Sequence, residues 1–413
     1  MVFFLFIYKE KPNTIMSYFD LSSDGKIPRD GLRKHTQTQI PTEGGALSGL
    51  IRFRWTSSQD SWFVPSLSYV NYEFEVTKTG GGPGNQVSVG ESDEFALCYF
   101  AGAAASSGGP TTLQLGSTNV ATITNPGVTA AFYSRAYGSK ETRDTIMEPF
   151  SRGVFSSDLK TVNLCYQPPC GFFNSDVAVP SGSYVLGINL SNNFIADMMA
   201  SRATVDKGAN IPGLSIVLKK ATFHATHIQP SGTPSIPRTV TIPLVDISTN
   251  NQSVTSAGTH ALSFSVAAST KRCLVASQLL NQAAAGYKGI TNFSGAAFET
   301  MSGQFKGQSI PQVPYTSDNG DTVRKYLDFY NEQFSAGRSG YDTITQYQDE
   351  PILLLPFASD PQNLDTNLIL RTQIDGNANQ SLVYVGTVHD SVVVLNYNND
   401  GSMMESCTYA VLS

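Results

Sequence analysis

The sequence predicts an all-β chain made of two sandwiches in tandem, with a few short helices in the connections. Three observations predict this. Most apolar stretches alternate with polar residues at period two and are rich in β-branched side chains. Clusters of Gly, Pro, Asn, Asp and Ser punctuate them at short intervals. The 413 residues are too many for one hydrophobic core. They divide into halves of about 200 residues, each with roughly enough strands for an eight-stranded sandwich.

The first strands are predicted at Gly49–Trp55 (GLIRFRW), Ser66–Val76 (SLSYVNYEFEV), Ser183–Leu190 (SYVLGINL) and Ser215–Ile228 (SIVLKKATFHATHI). Later strands are predicted at Arg238–Ile247, His260–Ala267, Asn367–Ile374, Leu382–His389 and Ser391–Tyr397. Turn signals separate them at Thr79–Asn85 (TGGGPGN), Ser106–Pro110, Pro180–Gly182, Pro230–Pro237, Asp318–Gly320 and Asn398–Gly401. One helix is predicted over Asp321–Phe334 (DTVRKYLDFYNEQF). Val323, Leu327, Tyr330 and Phe334 fall at helical spacing there, with Asp321 as the N-cap and Gly337 beyond the end. Shorter helices are expected at Asn193–Arg202 and Ser277–Ala285.

A division is expected near Ala209–Leu214 or at the Pro-rich stretch from Pro230. Taken at the former, it gives units over 16–213 and 214–413. Residues 1–15 are expected to be a disordered or peripheral tail. Their apolar run, Val2–Tyr8, is too short to span a bilayer and lacks the basic leader and cleavage site of a secretory signal. No exact repeat is visible, so duplication rests on strand count and length alone.

Hydrophobic residues make up 40% of the chain and charged ones only 15%, below the usual quarter. A polar, weakly charged surface suits a protein that buries its flanks against neighbours, where each stranded charge is costly. The formal charge of −6 offers no general attraction to nucleic acid or anionic membrane. The densest basic stretch, Lys26–Lys34, itself contains Asp30.

Side chains with chemical potential do not converge. His224 and His227 lie three apart in an alternating run, where they point to opposite faces and cannot share a metal. Asp20–Gly25 (DLSSDG) imitates a calcium loop, but Gly31 stands where a bidentate Glu is needed. The Gly-rich stretch from Thr79 lacks the Gly-Lys-Ser/Thr of a phosphate loop. Cys98, Cys165, Cys170, Cys273 and Cys407 form no framework, and Cys165 and Cys170 are read as packing residues. Asp349-Glu350 is read as a solvated pair before Pro351, and the sequons at Asn189, Asn251, Asn292 and Asn379 are near chance for so Ser- and Thr-rich a chain. No catalytic, cofactor-binding or metal-ligating residue is assigned, and no cofactor is expected. A carbohydrate-binding or carbohydrate-active β-sandwich is the alternative from another class. It asks for a cleft lined by Trp or Tyr, and only Trp55 and Trp62 are available as Trp.

One stretch fits none of this chemistry: Tyr166-Gln-Pro-Pro-Cys-Gly-Phe-Phe, then a polar gap, Val179-Pro-Ser-Gly and the strand Tyr184–Leu190. It resembles a segment in the first half of double jelly-roll major capsid proteins of polinton-like viruses, virophages and larger eukaryotic DNA viruses, relatives of the adenovirus hexon. The second half is similar to that family in the order of its features. Pro237-Arg-Thr-Val-Thr-Ile-Pro leads to Thr291-Asn-Phe-Ser-Gly and then to Gly303–Tyr315. The helix with Tyr326 and Tyr330 follows, then Ile344–Pro356. The resemblance implies two tandem eight-stranded jelly rolls and a non-enzymatic structural protein of the virion. It also implies a homotrimer of pseudo-sixfold outline that tiles an icosahedral shell, beside neighbouring capsomers and minor capsid or vertex proteins, with no direct contact to nucleic acid. A spike or vertex protein is the second alternative, and would show one sandwich with a shaft repeat. Phe172, Phe173, Tyr315 and Tyr341 are candidates either for subunit contacts or for loop anchors within the chain.

Overall fold

Strand pairing in the computed structural model builds two rolls of the same design. It describes residues 33–39, 50–81, 84–85, 110–136, 154–175, 177–189, 214–229, 236–279, 298–317, 319–334, 344–349, 351–357, 365–374 and 381–412. The first half contains β1 (Arg33–Gln39), β2 (Leu50–Ser57), β3 (Trp62–Phe63), β4 (Tyr69–Lys78), β5 (Thr111–Leu115) and β6 (Thr118–Ile123). Helix α1 (Pro126–Ala136) follows, then β7 (Val154–Phe155), β8 (Thr161–Tyr166), β9 (Gly182–Asn189) and β10 (Leu214–Gln229). The second half contains β11 (Thr239–Val254), β12 (Gly258–Ser265), β13 (Arg272–Leu279), β14 (Phe298–Phe305) and β15 (Gln308–Thr316). After helices α2 (Asn319–Phe334) and α3 (Ile344–Asp349) come β16 (Leu353–Pro356), β17 (Asn367–Ile374), β18 (Ser381–Tyr397) and β19 (Met404–Val411).

The sheets run β1-β10-β4-β8 and β2-β9-β5-β6 in the first half, and β11-β18-β13-β16 and β12-β17-β14-β15 in the second. If β3, β7 and β19 are set aside as additions, the described residues of each half form eight strands in the orders 1-8-3-6 and 2-7-4-5, with a helix after the fifth. This is the jelly roll expected from the sequence, made twice. The duplication that sequence comparison could not detect is explicit in the topology.

Among the described residues, three clusters of buried side chains hold the rolls. In the first roll, Phe53 and Trp55 of β2 face Phe223 of β10, with ring centroids 6.0 and 4.3 Å apart. In the second, Cys273, Val275, Leu353, Leu355, Val383 and Val385 face Leu262, Phe264, Met301, Leu368 and Leu370. The intervening residues of the same strands, among them Leu274, Ala276, Leu354, Leu382 and Tyr384, pack outward under α1, α2 and α3. A sheet covered on both faces accounts for the near-continuous apolar runs ILLLP and LVYVGTV.

Several expectations are corrected. Because β10 pairs with β4 and β1, it belongs to the first roll, so the division moves from 213/214 to between Gln229 and β11. The two strands expected at Leu382–His389 and Ser391–Tyr397 are one strand, β18. Ser277–Leu279, expected to begin a helix, end β13, held there by pairing to Val383, Leu382 and Ser381 of β18. Asp321 is not an N-cap. The helix starts at Asn319, and Asp321 in its first turn accepts from the Thr316 amide and pairs with Arg324 at 2.7 Å. Asn193–Arg202, Gly337 and Tyr341 lie outside the described residues.

Candidate functional site

The turn after β8 lies where the two rolls meet. Pro168, Pro169, Cys170, Gly171, Phe172 and Phe173 are all buried. Phe172 and Phe173 meet edge to face, with centroids 6.1 Å apart. Phe172 continues to Phe63 and Phe173 to Phe223, inside the first roll. These two rings are therefore intramolecular anchors, not subunit contacts. Tyr315, buried on β15, likewise serves its own chain: its hydroxyl donates to Asp328 at 3.0 Å and the Arg324 guanidinium lies over its ring.

Gly171 faces the second roll. Its amide donates to Asp246 Oδ1 at 2.8 Å. The other carboxylate oxygen, Oδ2, accepts from the hydroxyls of Ser391 and Tyr409, the latter at 3.0 Å. One buried carboxylate thus joins the turn after β8 to β11, β18 and β19. A buried carboxylate needs such donors, because without them its desolvation is unrecovered. Sequence reasoning did not single out Asp246. The available signal was a charge in the inward phase of the alternating run TVTIPLVDI.

Helix α1 makes the second contact. Phe132 packs so closely on Gly386 of β18 that a Cβ there would stand 2.4 Å from the ring. Tyr133 donates to the Val245 carbonyl at 2.8 Å, Thr129 bonds Thr249 at 2.7 Å, and Thr124 and Asn125 both donate to the Thr249 carbonyl. A helix belonging to the first roll thereby covers the second roll's sheet and satisfies carbonyls on its β11 edge. At the far end, Thr118 of β6 donates to the Cys407 carbonyl of β19 at 2.6 Å, and Ser181 to the Gly401 carbonyl.

The thiols take part as apolar bodies. Burial, reinforced by the Asp246 charge, pushes the Cys170 thiol up to about 12, and burial pushes Cys407 up to about 11. Neither is a thiolate at neutral pH. His227 is buried with Nδ1 3.1 Å from the Ala225 carbonyl, whereas the half-buried His224 stacks on Tyr69 on the opposite face. The expected divergence of the two imidazoles holds. Among the described residues no group of three or more His, Cys, Asp or Glu could hold a metal ion. Trp55 and Trp62 are both buried in the first roll. Asp349 closes α3, while Glu350 and Asp20–Gly25 lie outside the described residues.

No protein-family model and no curated protein matches the sequence. Solved structures do match its fold. A structure of the Sputnik virophage aligns with a TM-score of 0.61 at 13% identity, covering 92% of this chain and 89% of that one. The Faustovirus major capsid protein aligns with a TM-score of 0.56 at 9% identity, covering 89% and 91%. The PBCV-1 VP54 structure, fitted into a reconstruction of Sputnik, aligns with a TM-score of 0.54 at 10% identity, covering 91% and 97%. With both rolls aligned over nearly the full length of each, the chain has the double jelly-roll fold of viral capsid proteins.

Proposed function

We propose that the chain is a major capsid protein, a structural component of an icosahedral virion that works as a trimer. The observation that carries this is the pairing of two rolls of identical strand order, locked into one block by Asp246 and α1. Three such blocks about a threefold axis set six similar rolls around a centre, an outline able to tile a shell. The weakly charged composition suits flanks that meet neighbouring capsomers and minor capsid or vertex proteins. Both tryptophans being buried leaves the carbohydrate alternative without its Trp platform, and two equal rolls do not make a spike with a shaft. Light scattering during size exclusion tests the proposal. A mass near three times 44.5 kDa, or assemblies built from that unit, is the expected result. A stable folded monomer at all concentrations overturns it.

A further inference from the structure

One face of the second roll's sheet is covered along half of its length. In β11 and β18, Ile247 stands opposite Val388 and Thr249 opposite Gly386, and α1 lies over these rows through Phe132 and Tyr133. The Tyr133 hydroxyl, donating to the Val245 carbonyl at 2.8 Å, marks where that cover stops. The same face then continues toward Thr239 and Asn396, with β19 as its third strand. Val245, 37% exposed, and Leu412, 46% exposed, flank Asp390 at the α1 end. Pro243, Val392 and Ala410 form the next row, and Thr241, Val394 and Thr408 the one after it.

The reverse side of these rows, with Val240, Ile242, Leu244, Val393 and Leu395, is sealed in the core of the first roll. An antiparallel sheet with one wet face normally carries polar residues on it. Here the middle of the outer face is apolar: Pro243 and Ala410 are exposed, and Val392 and Val394 are half-buried. The one ionisable side chain in these rows is Asp390, and Lys271 pairs with it. A contiguous, uncharged, apolar surface of this kind marks a surface that becomes covered.

We propose that the N-terminal run Val2–Tyr8 of the same chain covers it. That run is seven consecutive apolar residues with no charge before Lys9, and it lies outside the described residues. Where the described chain begins supports the assignment. Arg33 pairs with Gln229, the neighbouring Ile228 pairs with Trp62, and Gln59 in the turn before Trp62 donates to the Asp400 carbonyl at 3.4 Å. Asp400 lies in the turn from β18 to β19, at the Asn396 end of the open face. The chain therefore enters the first roll beside the end of the face that α1 leaves bare. Residues 9–32 can reach roughly 80 Å when extended, and the rows from Val245 to Thr239 span only about 20 Å. The chemistry matches as well, since an uncharged run strands no charge when buried on an uncharged face. The contact is internal to one chain and does not rest on the capsid reading.

The test follows a thiol set into the face of the full chain. Thr241→Cys places it at an exposed position, in a tryptic peptide, Thr239 to Lys271, that holds no native cysteine. With the natural N-terminus, labelling by N-ethylmaleimide is expected to be roughly tenfold slower than when Phe4→Asp and Phe6→Asp are added, as for a contact open about a tenth of the time. A control thiol from Ser263→Cys, exposed on the other sheet of the second roll, should react at one rate with either N-terminus. A change there too would mean general loosening and overturn the contact. Equal rates at position 241 also overturn it: both slow means that something else covers the face, and both fast means that the face is open. In the latter case flotation of the full chain with phosphatidylcholine vesicles would assign the run to a membrane instead. Protection that falls on dilution would assign it to the face of a neighbouring copy and overturn the same-chain contact. Should the aspartates disturb folding, Phe4→Ser with Phe6→Ser replaces them, and an unchanged labelling rate there is equally decisive.

Discussion

The amide of Gly171 in the first roll lies 2.8 Å from Oδ1 of Asp246 in the second, and this approach explains why the turn carries glycine. A Cβ at 171 would stand 2.7 Å from that oxygen, 2.8 Å from the Val245 carbonyl oxygen and 3.0 Å from Leu244 Cβ. Two of these neighbours belong to the β11 framework and cannot swing aside. Gly171→Ala should therefore destabilise the protein by about 1–3 kcal/mol, the usual cost of overpacking. Asp246→Ala should cost a similar amount, about 1–3 kcal/mol, by orphaning a buried amide, while the two hydroxyls can turn to other partners. Urea midpoints measure both, and a wild-type midpoint for Gly171→Ala would show that the rolls do not approach so closely.

The packing of Phe132 on Gly386 predicts coupling between rolls. Phe132→Ala should cost about 3–5 kcal/mol, as large aromatic truncations in cores do. Gly386→Ala alone is expected to be strongly destabilising, since its Cβ would meet the ring at 2.4 Å. With Phe132 already truncated, the same substitution should cost much less. A double-mutant cycle that comes out additive would refute direct contact.

How much of this could be read from the sequence depended on how many faces of a strand are covered. Strands with one solvent face, such as β4 and β17, keep strict alternation and were legible. β13 and β16 are buried on both sides, so Arg272–Leu279 and Leu353–Pro356 lose the period-two signal, and part of β13 passed for a helix. The α2 helix was legible but its buried face was not. Val323 and Leu327 have helical spacing, yet Phe329 is the residue sealed against Tyr347. Periodicity finds an apolar stripe without saying whether this chain or another covers it. Asp246 was hidden because its partners, Gly171, Ser391 and Tyr409, are far from it in sequence.

Trp55 and Trp62 both sit in the first roll, so tryptophan fluorescence reports on that roll alone, while far-UV circular dichroism reports on both. Because Asp246 and α1 join the rolls, the two signals should follow one denaturation curve. Fluorescence changing in a separate, earlier or later transition would show that the rolls unfold independently.

Binding to duplex DNA at physiological salt should be undetectable at micromolar protein. The net charge of −6 supplies no cluster able to release many counterions. Two surface lysines, Lys219 and Lys271, are moreover paired with Glu75 and Asp390. A gel shift with a steep salt dependence would contradict this and point to a genome-contacting role.

Alkaline pH should destabilise the protein as its buried thiols and phenols come to ionise in the unfolded chain. Burial raises the Cys170 thiol from 9.0 to about 12 and the Cys407 thiol from 9.0 to about 11, and it also raises the hydroxyls of Tyr184, Tyr384 and Tyr397. Each group is held neutral in the folded chain but ionises at its ordinary value once unfolded. Between the two values the unfolded state binds fewer protons than the folded one, so stability falls as pH rises. The stabilisation is complete below about pH 9, where the thiols are protonated in both states, and is lost as pH climbs through the folded values. Melting temperatures should be level from pH 7 to about 8.5 and fall continuously above about 9. Cys170→Ser and Cys407→Ser together should shallow that fall, because a serine hydroxyl does not titrate in this range. An unchanged slope in the double variant, after allowing for its lower stability at pH 7, would assign the alkaline transition to the buried tyrosines and to the other buried thiols, Cys165 and Cys273, which burial also raises.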